Sequence, residues 1–198
     1  HGRPLFHWVL GSLQQVDIID CIIINTDARE SLLKNGLIES EKILLRERPK
    51  HLRGDDVSMN LIIEDDISSI DSDLFLMTHA TNPLITSKTI TNAINTFLSQ
   101  NEHDCLFAVN KIQTRFYDKN ASPINHDPNN LIKTQDLPIW FEDNSCLYIF
   151  SKGSFKKTKA RIGSNPMMYH LPKTESIDID DIDDWNIAEA IMNLELNK

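Results

Sequence analysis

The sequence predicts a three-layer α/β/α fold with a mostly parallel sheet, built as one domain of 198 residues. Continuous apolar runs rich in β-branched residues, such as DCIIINT (20–26), are typical of strands buried on both faces. Between these runs lie segments whose apolar residues recur at helical spacing. Helices that alternate with buried strands favour a parallel sheet that is covered on both faces.

The first three elements are predicted as helix, strand and helix. Apolar residues recur at helical spacing through 4–16, and the β-branched run 20–26 is predicted to be a strand. Asp27 stands where an N-cap is needed, Glu30 completes a capping-box pattern three residues later, and Gly36 is expected to end the helix.

A second strand, a helix and a third strand follow. Residues 42–46 form a short apolar run, and the polar stretch 48–56 is predicted to be a loop. The helical pattern of 57–67 precedes another buried strand at 73–79. Thr86 is then expected to cap a helix that has one apolar face.

The regular alternation is interrupted once. A strand at 104–110 leads into residues 111–144, which are rich in Pro, Asn and Asp and longer than the usual connection in a compact domain. We predict an inserted arm there, for example a hairpin, that covers a site or contacts a partner. After it we expect a strand at 145–151, a helix at 152–158, strands at 167–171 and 176–180, and a final helix at 183–196.

Composition and charge exclude several classes of function. The net charge is −9 without a long basic run, which argues against nucleic-acid binding. No apolar run approaches the ~20 residues of a membrane span, and no secretory signal pattern is present. The three cysteines, Cys21, Cys105 and Cys146, flank apolar runs without metal-binding spacing. We interpret them as buried free thiols of a cytoplasmic protein.

The acidic segment SIDIDDIDDW (176–185) admits two interpretations. In a strand, Asp178 and Asp180 would share one face, with their Cα atoms ~6–7 Å apart. Two carboxylates at that spacing suit Mg²⁺, whose remaining ligands would be water and substrate phosphate. Spacing alone does not separate this metal site from an exposed edge strand with solvated aspartates.

Three further aspartates in the same segment have a different predicted role. Asp181, Asp183 and Asp184 precede an apolar pattern with helical spacing. Carboxylates at a helix start accept hydrogen bonds from free backbone amides and oppose the positive end of the helix dipole. We therefore predict that these three mainly begin the last helix.

Polar residues at the predicted strand ends indicate one binding crevice. In open α/β sheets, ligands bind beyond the carboxyl ends of the strands. Residues 25–27 and 79–83, and the residues that follow the strand at 104–110, lie at such ends.

Six segments, in order, resemble the acylneuraminate cytidylyltransferase family, which includes the CMP-sialic acid synthetases. Each match is weak alone, but the ordered set spans nearly the whole chain and is specific. The segments are GRPLFHWVLGSL (2–13), IIINTD (22–27), RPKHLRGDDVS (48–58), HATNPLITSKTI (79–90), KTQDLPIWFEDNSCLYIF (133–150) and ESIDIDDIDDWNIAEAI (175–191).

The resemblance implies a Rossmann-like nucleotidyltransferase fold and a specific reaction. CTP and a 2-keto acid sugar, such as a sialic acid-like nonulosonic acid, would give a CMP-sugar and pyrophosphate. Asp178 and Asp180 would be the catalytic metal ligands for Mg²⁺, and Asp27 would lie at the nucleotide. The family's arm commonly packs on a second subunit, so a homodimer through residues 111–144 is expected.

The resemblance also assigns contacts with the acid sugar. His79 stands where the family has a sugar-binding glutamine, and Thr81 and Asn82 follow it, with Asn82 in place of a serine. Ser58 matches a loop serine near the sugar, and Gln135 lies in the QDLP motif. His79 also fits a polar strand-end residue without a ligand, and Ser58 a residue of a helix start.

Missing cations put the identity of the sugar in question. Arginine, which some relatives carry at the positions of Ile85, Thr134 and Glu142, is absent there. Arg115 or Lys133 would then supply the charge for a substrate carboxylate, although each also fits a solvated arm residue. These departures indicate a bacterial nine-carbon relative of N-acetylneuraminate, or a less explored acid sugar.

The family's most diagnostic motif is a Gly-rich basic loop that binds the CTP phosphates and precedes the first helix. The sequence begins at His1, just after that loop and its strand would end. We expect the complete protein to contain both, because a lost strand would leave buried sheet groups unpaired. The alternatives are a nucleotidyltransferase of the same fold with another acceptor or base, and a catalytically silent homologue that acts as a binding protein.

Overall fold

The computed structural model describes residues 2–196. The helices in this range are α1 (Phe6–Gln14), α2 (Arg29–Lys34), α3 (Met59–Ser69), α4 (Ser87–Leu98), α5 (Lys152–Thr158) and α6 (Ile182–Leu196). The strands are β1 (Ile22–Thr26), β2 (Ile43–Glu47), β3 (Leu74–Met77), β4 (Cys105–Ile112), β5 (Trp140–Ser151) and β6 (Pro166–His170). Each predicted helix is present, as is each predicted strand except the one at 176–180. Within residues 2–196, no helix has the length and apolar character needed to cross a membrane.

The strands form two hydrogen-bonded sheets. β1 and β2 pair in parallel. The other sheet has the order β3-β5-β4-β6, in which β6 is parallel to β4 and β5 is antiparallel to both of its neighbours. Since β3, β4 and β6 therefore run in one direction, the prediction of an α/β fold with a mostly parallel sheet is confirmed.

The core is centred on β5 and the helix that packs over it. Residues 146–150 of β5 are at most 1 % exposed. The buried face of α4 includes Ile90, Ala93 and Phe97, as its apolar spacing predicts. Thr86 caps α4, because its hydroxyl oxygen accepts a hydrogen bond from the Thr89 amide at 3.2 Å. This cap fixes the first turn of α4, directly after the loop that follows β3.

An apolar slot separates the two sheets. It has a volume of about 670 Å³ and is lined by Cys21, by β1 from Ile22 to Asn25 and by β3 from Leu74 to Met77. Within residues 2–196, β1 pairs only with β2 and β3 only with β5. The slot explains why the structure shows two sheets where one continuous sheet is expected, since no described strand lies between β1 and β3.

The central part of the predicted arm extends from one long hairpin. The β4–β5 ladder continues to the pair Ile112 and Trp140, and residues 113–139 connect these strands. The only helix in that connection, within the part of the chain that the structure describes, is a 3₁₀ turn at Thr134–Asp136. Residues 111–112 and 140–144 of the predicted arm are therefore sheet residues.

Two predictions about local structure are wrong. Residues 176–180 belong to no strand of either sheet and form an irregular segment that ends in a bend at Asp180. Asp27 does not cap α2, because that helix begins at Arg29 and the Ala28 amide is bonded to the Thr26 hydroxyl instead, at 3.0 Å. Gly36 does end this region as predicted, with a φ of +89° that favours glycine.

Candidate functional site

The acidic segment 176–180 is held against the loop that follows β3. The Ile179 amide donates to the Thr81 carbonyl at 2.9 Å. The Asn82 side-chain amide lies 3.4 Å from the Ile177 carbonyl. One backbone bond and one side-chain bond thus replace the strand ladder, and they place the acidic residues beside the carboxyl end of β3.

Asp178 and Asp180 have different environments. Asp178 is half-buried, and its Oδ1 atom is fully buried without a hydrogen-bond partner among the described residues. Asp180 is exposed. A buried carboxylate oxygen without a partner is costly, and a cation is the usual compensation. The pair therefore suits a hard divalent ion that also takes oxygens from water and substrate. Among residues 2–196, no group of three or more His, Cys, Asp or Glu side chains is arranged to hold a metal ion.

The next aspartates form the helix start that the sequence predicts. Asp181 Oδ1 accepts hydrogen bonds from the amides of Asp183 and Asp184, at 2.8 Å and 3.0 Å. Asp184 Oδ2 accepts in return from the Asp181 amide at 3.2 Å and from the Asp180 amide at 3.1 Å. This reciprocal arrangement is a capping box built from two aspartates, and it fixes the backbone of Asp180 at the end of the acidic segment.

His79 lies at the carboxyl end of β3, close to opposite charges. Burial and the charge of Arg161 lower the pKa of His79, while the carboxylates of Asp178 and Asp143 oppose that shift. The imidazole is therefore predominantly neutral at pH 7, so it can both donate and accept a hydrogen bond. The adjacent Thr78 hydroxyl oxygen is buried without a partner in the described range.

Arg161 and Asp143 complete this surface, and sequence reasoning did not identify either of them. The guanidinium carbon of Arg161 lies 3.8 Å from the centre of the Tyr148 ring. The Tyr148 hydroxyl donates to Asp143 Oδ1 at 2.7 Å. Burial and this hydrogen bond raise the pKa of Tyr148 to about 12. Arg161 precedes β6 in a polar turn without periodic pattern, so no local signal marks it.

The residues after β3 have structural roles beside the site. Thr81 accepts the bond from the acidic segment, as described above. Asn82 is 0 % exposed and connects the same two segments. Its Oδ1 atom has no partner among the described residues. Asn82 therefore supports the loop from inside, whereas the proposed contact with the sugar would need an accessible side chain.

Ser58 and Asp27 are exposed at neighbouring loops. Ser58 immediately precedes α3, and its side chain makes no capping hydrogen bond. Asp27 is exposed after β1. Arg48, from the polar loop, donates to the side-chain and backbone oxygens of Asn25 at 2.9 Å and 3.1 Å, which ties the ends of β1 and β2 together.

The three arm residues with a predicted role at the sugar make contacts within the arm or are exposed. Arg115 donates to the Ile132 carbonyl at 2.5 Å and to the Thr134 hydroxyl at 3.2 Å. Gln135 is exposed, and its carbonyl accepts from the Gln113 side chain at 2.7 Å. Lys133 is exposed. Within residues 2–196, no hydrogen bond or ion pair joins these arm side chains to His79 or Asp178.

The cysteines are unsuited to catalysis. Burial raises the pKa of Cys105 to about 11 and that of Cys146 to about 12, so both thiols are protonated at neutral pH. Cys21 is exposed, which corrects the prediction that all three are buried. Its pKa is also raised, by partial burial and by the neighbouring Asp20.

Comparisons with known proteins identify relatives of this chain. The sequence model of a family described as cytidylyltransferase matches residues 1–195. The N-acylneuraminate cytidylyltransferase of Escherichia coli O18:K1:H7 is 22 % identical over 204 residues, covering 96 % of this chain and 46 % of that protein. N-acylneuraminate cytidylyltransferase A of Danio rerio is 24 % identical over 194 residues, covering 95 % and 44 %. The chain thus spans a little under half the length of these curated relatives.

Solved structures show the same fold at low sequence identity. The 4-diphosphocytidyl-2C-methyl-D-erythritol synthase of Anaerococcus prevotii has a TM-score of 0.68 at 14 % identity, over 98 % of this chain and 87 % of that one. A CMP:2-keto-3-deoxy-manno-octonic acid synthetase complexed with CTP has a TM-score of 0.63 at 12 % identity, over 98 % and 89 %. Because the family model matches almost the whole chain, this protein belongs to the cytidylyltransferase family.

Proposed function

We propose that this protein transfers CMP from CTP to the anomeric hydroxyl of a 2-keto acid sugar. The hydroxyl oxygen forms a bond to the α-phosphorus, the bond from that phosphorus to the bridging oxygen of the β-phosphate breaks, and the hydroxyl proton is released. The products are a CMP-sugar and pyrophosphate. The proposal is carried by the buried Oδ1 of Asp178, which has no hydrogen-bond partner among residues 2–196, at the crevice of a chain matched by the family model.

Asp178 and Asp180 would hold Mg²⁺ in this reaction. When bound, the ion would neutralise phosphate charge and orient the reacting groups. The chain contributes the position of both carboxylates, since the Ile179 amide is bonded to the loop after β3 and the Asp180 amide to the capping box. His79, in its neutral form, would hydrogen-bond the sugar without adding charge.

The apolar slot between β1 and β3 would be filled by a further strand, and the loop at the end of that strand would bind the CTP triphosphate. Both strands present an unpaired edge there within residues 2–196, and Leu10 of α1 and Ile22 of β1 belong to the same buried cluster. A parallel strand in the slot, connected through α1 to β1, would complete a crossover of the usual right-handed type. Such a strand would carry the phosphate-binding loop that the family resemblance implies to the same edge of the sheet as His79.

The arm is proposed to form a dimer interface. Large apolar side chains are exposed along it: Tyr117, Ile124, Leu131, Ile132, Ile139, Trp140 and Phe141 are each 41 % to 69 % exposed. A concentration of exposed apolar surface is typical of protein contacts. Size-exclusion chromatography with light scattering tests this proposal. Phe141→Glu is expected to shift a dimer to monomer, and a monomeric wild-type protein would refute it.

Pyrophosphate release by the protein from its complete gene tests the reaction. The assay uses CTP and Mg²⁺ with a panel of 2-keto acid sugars, and other nucleotides and acceptors as alternatives. Asp178→Asn and Asp180→Asn are each expected to lower turnover about 100-fold, because metal binding accounts for several kcal/mol of transition-state stabilisation. Asp183→Asn removes the same charge from an exposed helix position and is the matched control.

Each outcome has a defined meaning. Unchanged turnover in both carboxylate variants would exclude them as metal ligands. Turnover with another acceptor only would favour a different nucleotidyltransferase of this fold. No pyrophosphate release with any sugar or nucleotide would leave the silent homologue, which acts by binding, as the better interpretation.

A further inference from the structure

Arg161 is a cation without a carboxylate partner at the edge of the crevice. Within residues 2–196 it takes part in no ion pair, whereas the partly buried Arg46 of β2 pairs with both Asp65 and Asp66. The Arg161 guanidinium contacts the face of Tyr148, 3.8 Å from the ring centre, and the sulfur of Met77, 3.9 Å from Nη1. The guanidinium N–H groups of Arg161 are thus available to donate hydrogen bonds to a ligand.

The position of this guanidinium is determined by the fold. Tyr148 lies in the buried centre of β5 and is 0 % exposed, and its hydroxyl is bonded to Asp143, so the ring is a rigid surface for stacking. The Arg161 amide is 3.3 Å from the Asn60 side-chain oxygen at the start of α3. A planar cation stacked on a fixed ring is preorganised for bidentate contact with a planar anion.

The surroundings indicate which ligand this cation would meet. Arg161 and Asp178 are both close enough to His79 for their charges to act on its imidazole. Asn60, which contacts the Arg161 backbone, is two residues from Ser58 on the side of the crevice that the sequence assigns to the sugar. Of the charged groups that act on His79 within the described residues, Arg161 is the cation, and the others are the carboxylates of Asp143 and Asp178.

We propose that Arg161 binds the carboxylate of the acceptor sugar and so determines the specificity for acid sugars. This inference rests on the proposed function and deepens it, because it assigns the substrate charge to the loop before β6. It replaces Arg115 and Lys133 of the arm as the expected carboxylate contact, since Arg115 is already bonded to the Ile132 carbonyl and the Thr134 hydroxyl.

Direct binding tests the proposal independently of turnover. Isothermal titration measures the dissociation constants of N-acetylneuraminate and 3-deoxy-manno-octulosonate, and of the methyl ester of the tighter ligand. The protein comes from its complete gene, as wild type and as Arg161→Met, Arg161→Lys, Arg115→Met and Lys157→Met. Lys157 is exposed on α5 and is the matched control for loss of one positive charge.

Arg161→Met is expected to weaken binding of the free acid about 10- to 100-fold, the effect of losing charged hydrogen bonds. The methyl ester is expected to bind the wild type and Arg161→Met equally weakly. Arg161→Lys retains the charge but not the planar fork, so an intermediate loss is expected. Circular dichroism and thermal melts show whether each variant is folded, and Arg161→Lys provides the test if Arg161→Met is not.

Three outcomes would overturn the proposal. The first is binding of the free acid within twofold of wild type in both Arg161 variants. The second is a loss in Arg115→Met that the Arg161 variants do not show. The third is a higher KM for CTP in the Arg161 variants with unchanged sugar binding, which would assign the residue to a phosphate. Wild-type protein that binds an acid sugar but releases no pyrophosphate would refute the proposed reaction, and the carboxylate assignment would still be decided by the titrations.

Discussion

Replacing Gly163 by alanine should destabilise the protein, because the turn before β6 has no room for a side chain. A Cβ atom at this position would overlap Asp104 Oδ1 and Ser154 Oγ, closer than any van der Waals contact allows. Asp104 also accepts hydrogen bonds from the Ser164 amide at 2.8 Å and the Asn165 amide at 3.0 Å. The turn is therefore held to the start of β4 by the carboxylate that the new methyl group would displace.

The expected magnitude combines two effects. Overpacking a filled site costs about 1–3 kcal/mol. A displaced Asp104 would also weaken its two bonds to backbone amides, each of which contributes about 1 kcal/mol. We expect a loss of about 2–4 kcal/mol in the free energy of unfolding. For a chain of this size, that corresponds to a decrease of roughly 4–16 °C in Tm.

Urea denaturation and thermal melts measure this effect against a matched control. A Cβ atom at Gly11, in the middle of α1, would contact no atom within 4 Å. Gly11→Ala should therefore stabilise the protein by up to about 1 kcal/mol through helix propensity. Asp104→Ala removes one of the two overlapping atoms, so Gly163→Ala should cost less in that background. A Gly163→Ala protein within 0.5 kcal/mol of wild type, or strictly additive costs in the double variant, would refute the reasoning.

Three further predictions follow from the site. Because the pKa of His79 is lowered in the folded protein, the unfolded chain binds a proton at this residue more tightly, and the free energy of unfolding should fall as pH decreases below about 6.5. In urea denaturation, His79→Gln should show a shallower decrease in this free energy between pH 7.5 and 5.5. Identical slopes for the variant and the wild type would contradict this prediction. Asp181→Ala should lower the free energy of unfolding by about 1 kcal/mol because it removes the cap of α6, and Asp181→Ser should recover most of this loss. Equal stability of the wild type and both variants in urea denaturation would argue against the capping box. An alkylating reagent should label Cys21 in the folded protein and leave Cys105 and Cys146 unlabelled until urea is added, as detected by mass spectrometry. Equal labelling rates at the three cysteines would show that the two buried thiols are accessible.

Most secondary structure was predictable because its signals are local. The spacing of apolar residues identified α4 and its buried face, and Thr86 marked its start. The β-branched run of β1 and the apolar run at the centre of β5 identified these strands in the same way. Local signals failed at Asp27, where Thr26 forms the bond to the backbone that a capping aspartate would have formed.

The acidic segment shows the limit of periodicity. Alternating Ile and Asp is the pattern of a strand, yet residues 176–180 join neither sheet. What holds them is the carbonyl of Thr81, far away in sequence, and the buried amide of Asn82. Spacing could place Asp178 and Asp180 near each other but could not show that Asp178 Oδ1 is buried without a partner.

The sequence by itself determined the α/β class, the order of the helices and strands and the family resemblance, because these depend on the type and spacing of neighbouring residues. The tertiary structure alone decided which polar groups meet at the crevice. Arg161 stacks on Tyr148, and its charge acts on His79, through contacts between distant parts of the chain. Such contacts depend on burial and on the packing of separate strands, which leave no periodic trace in the residues that make them.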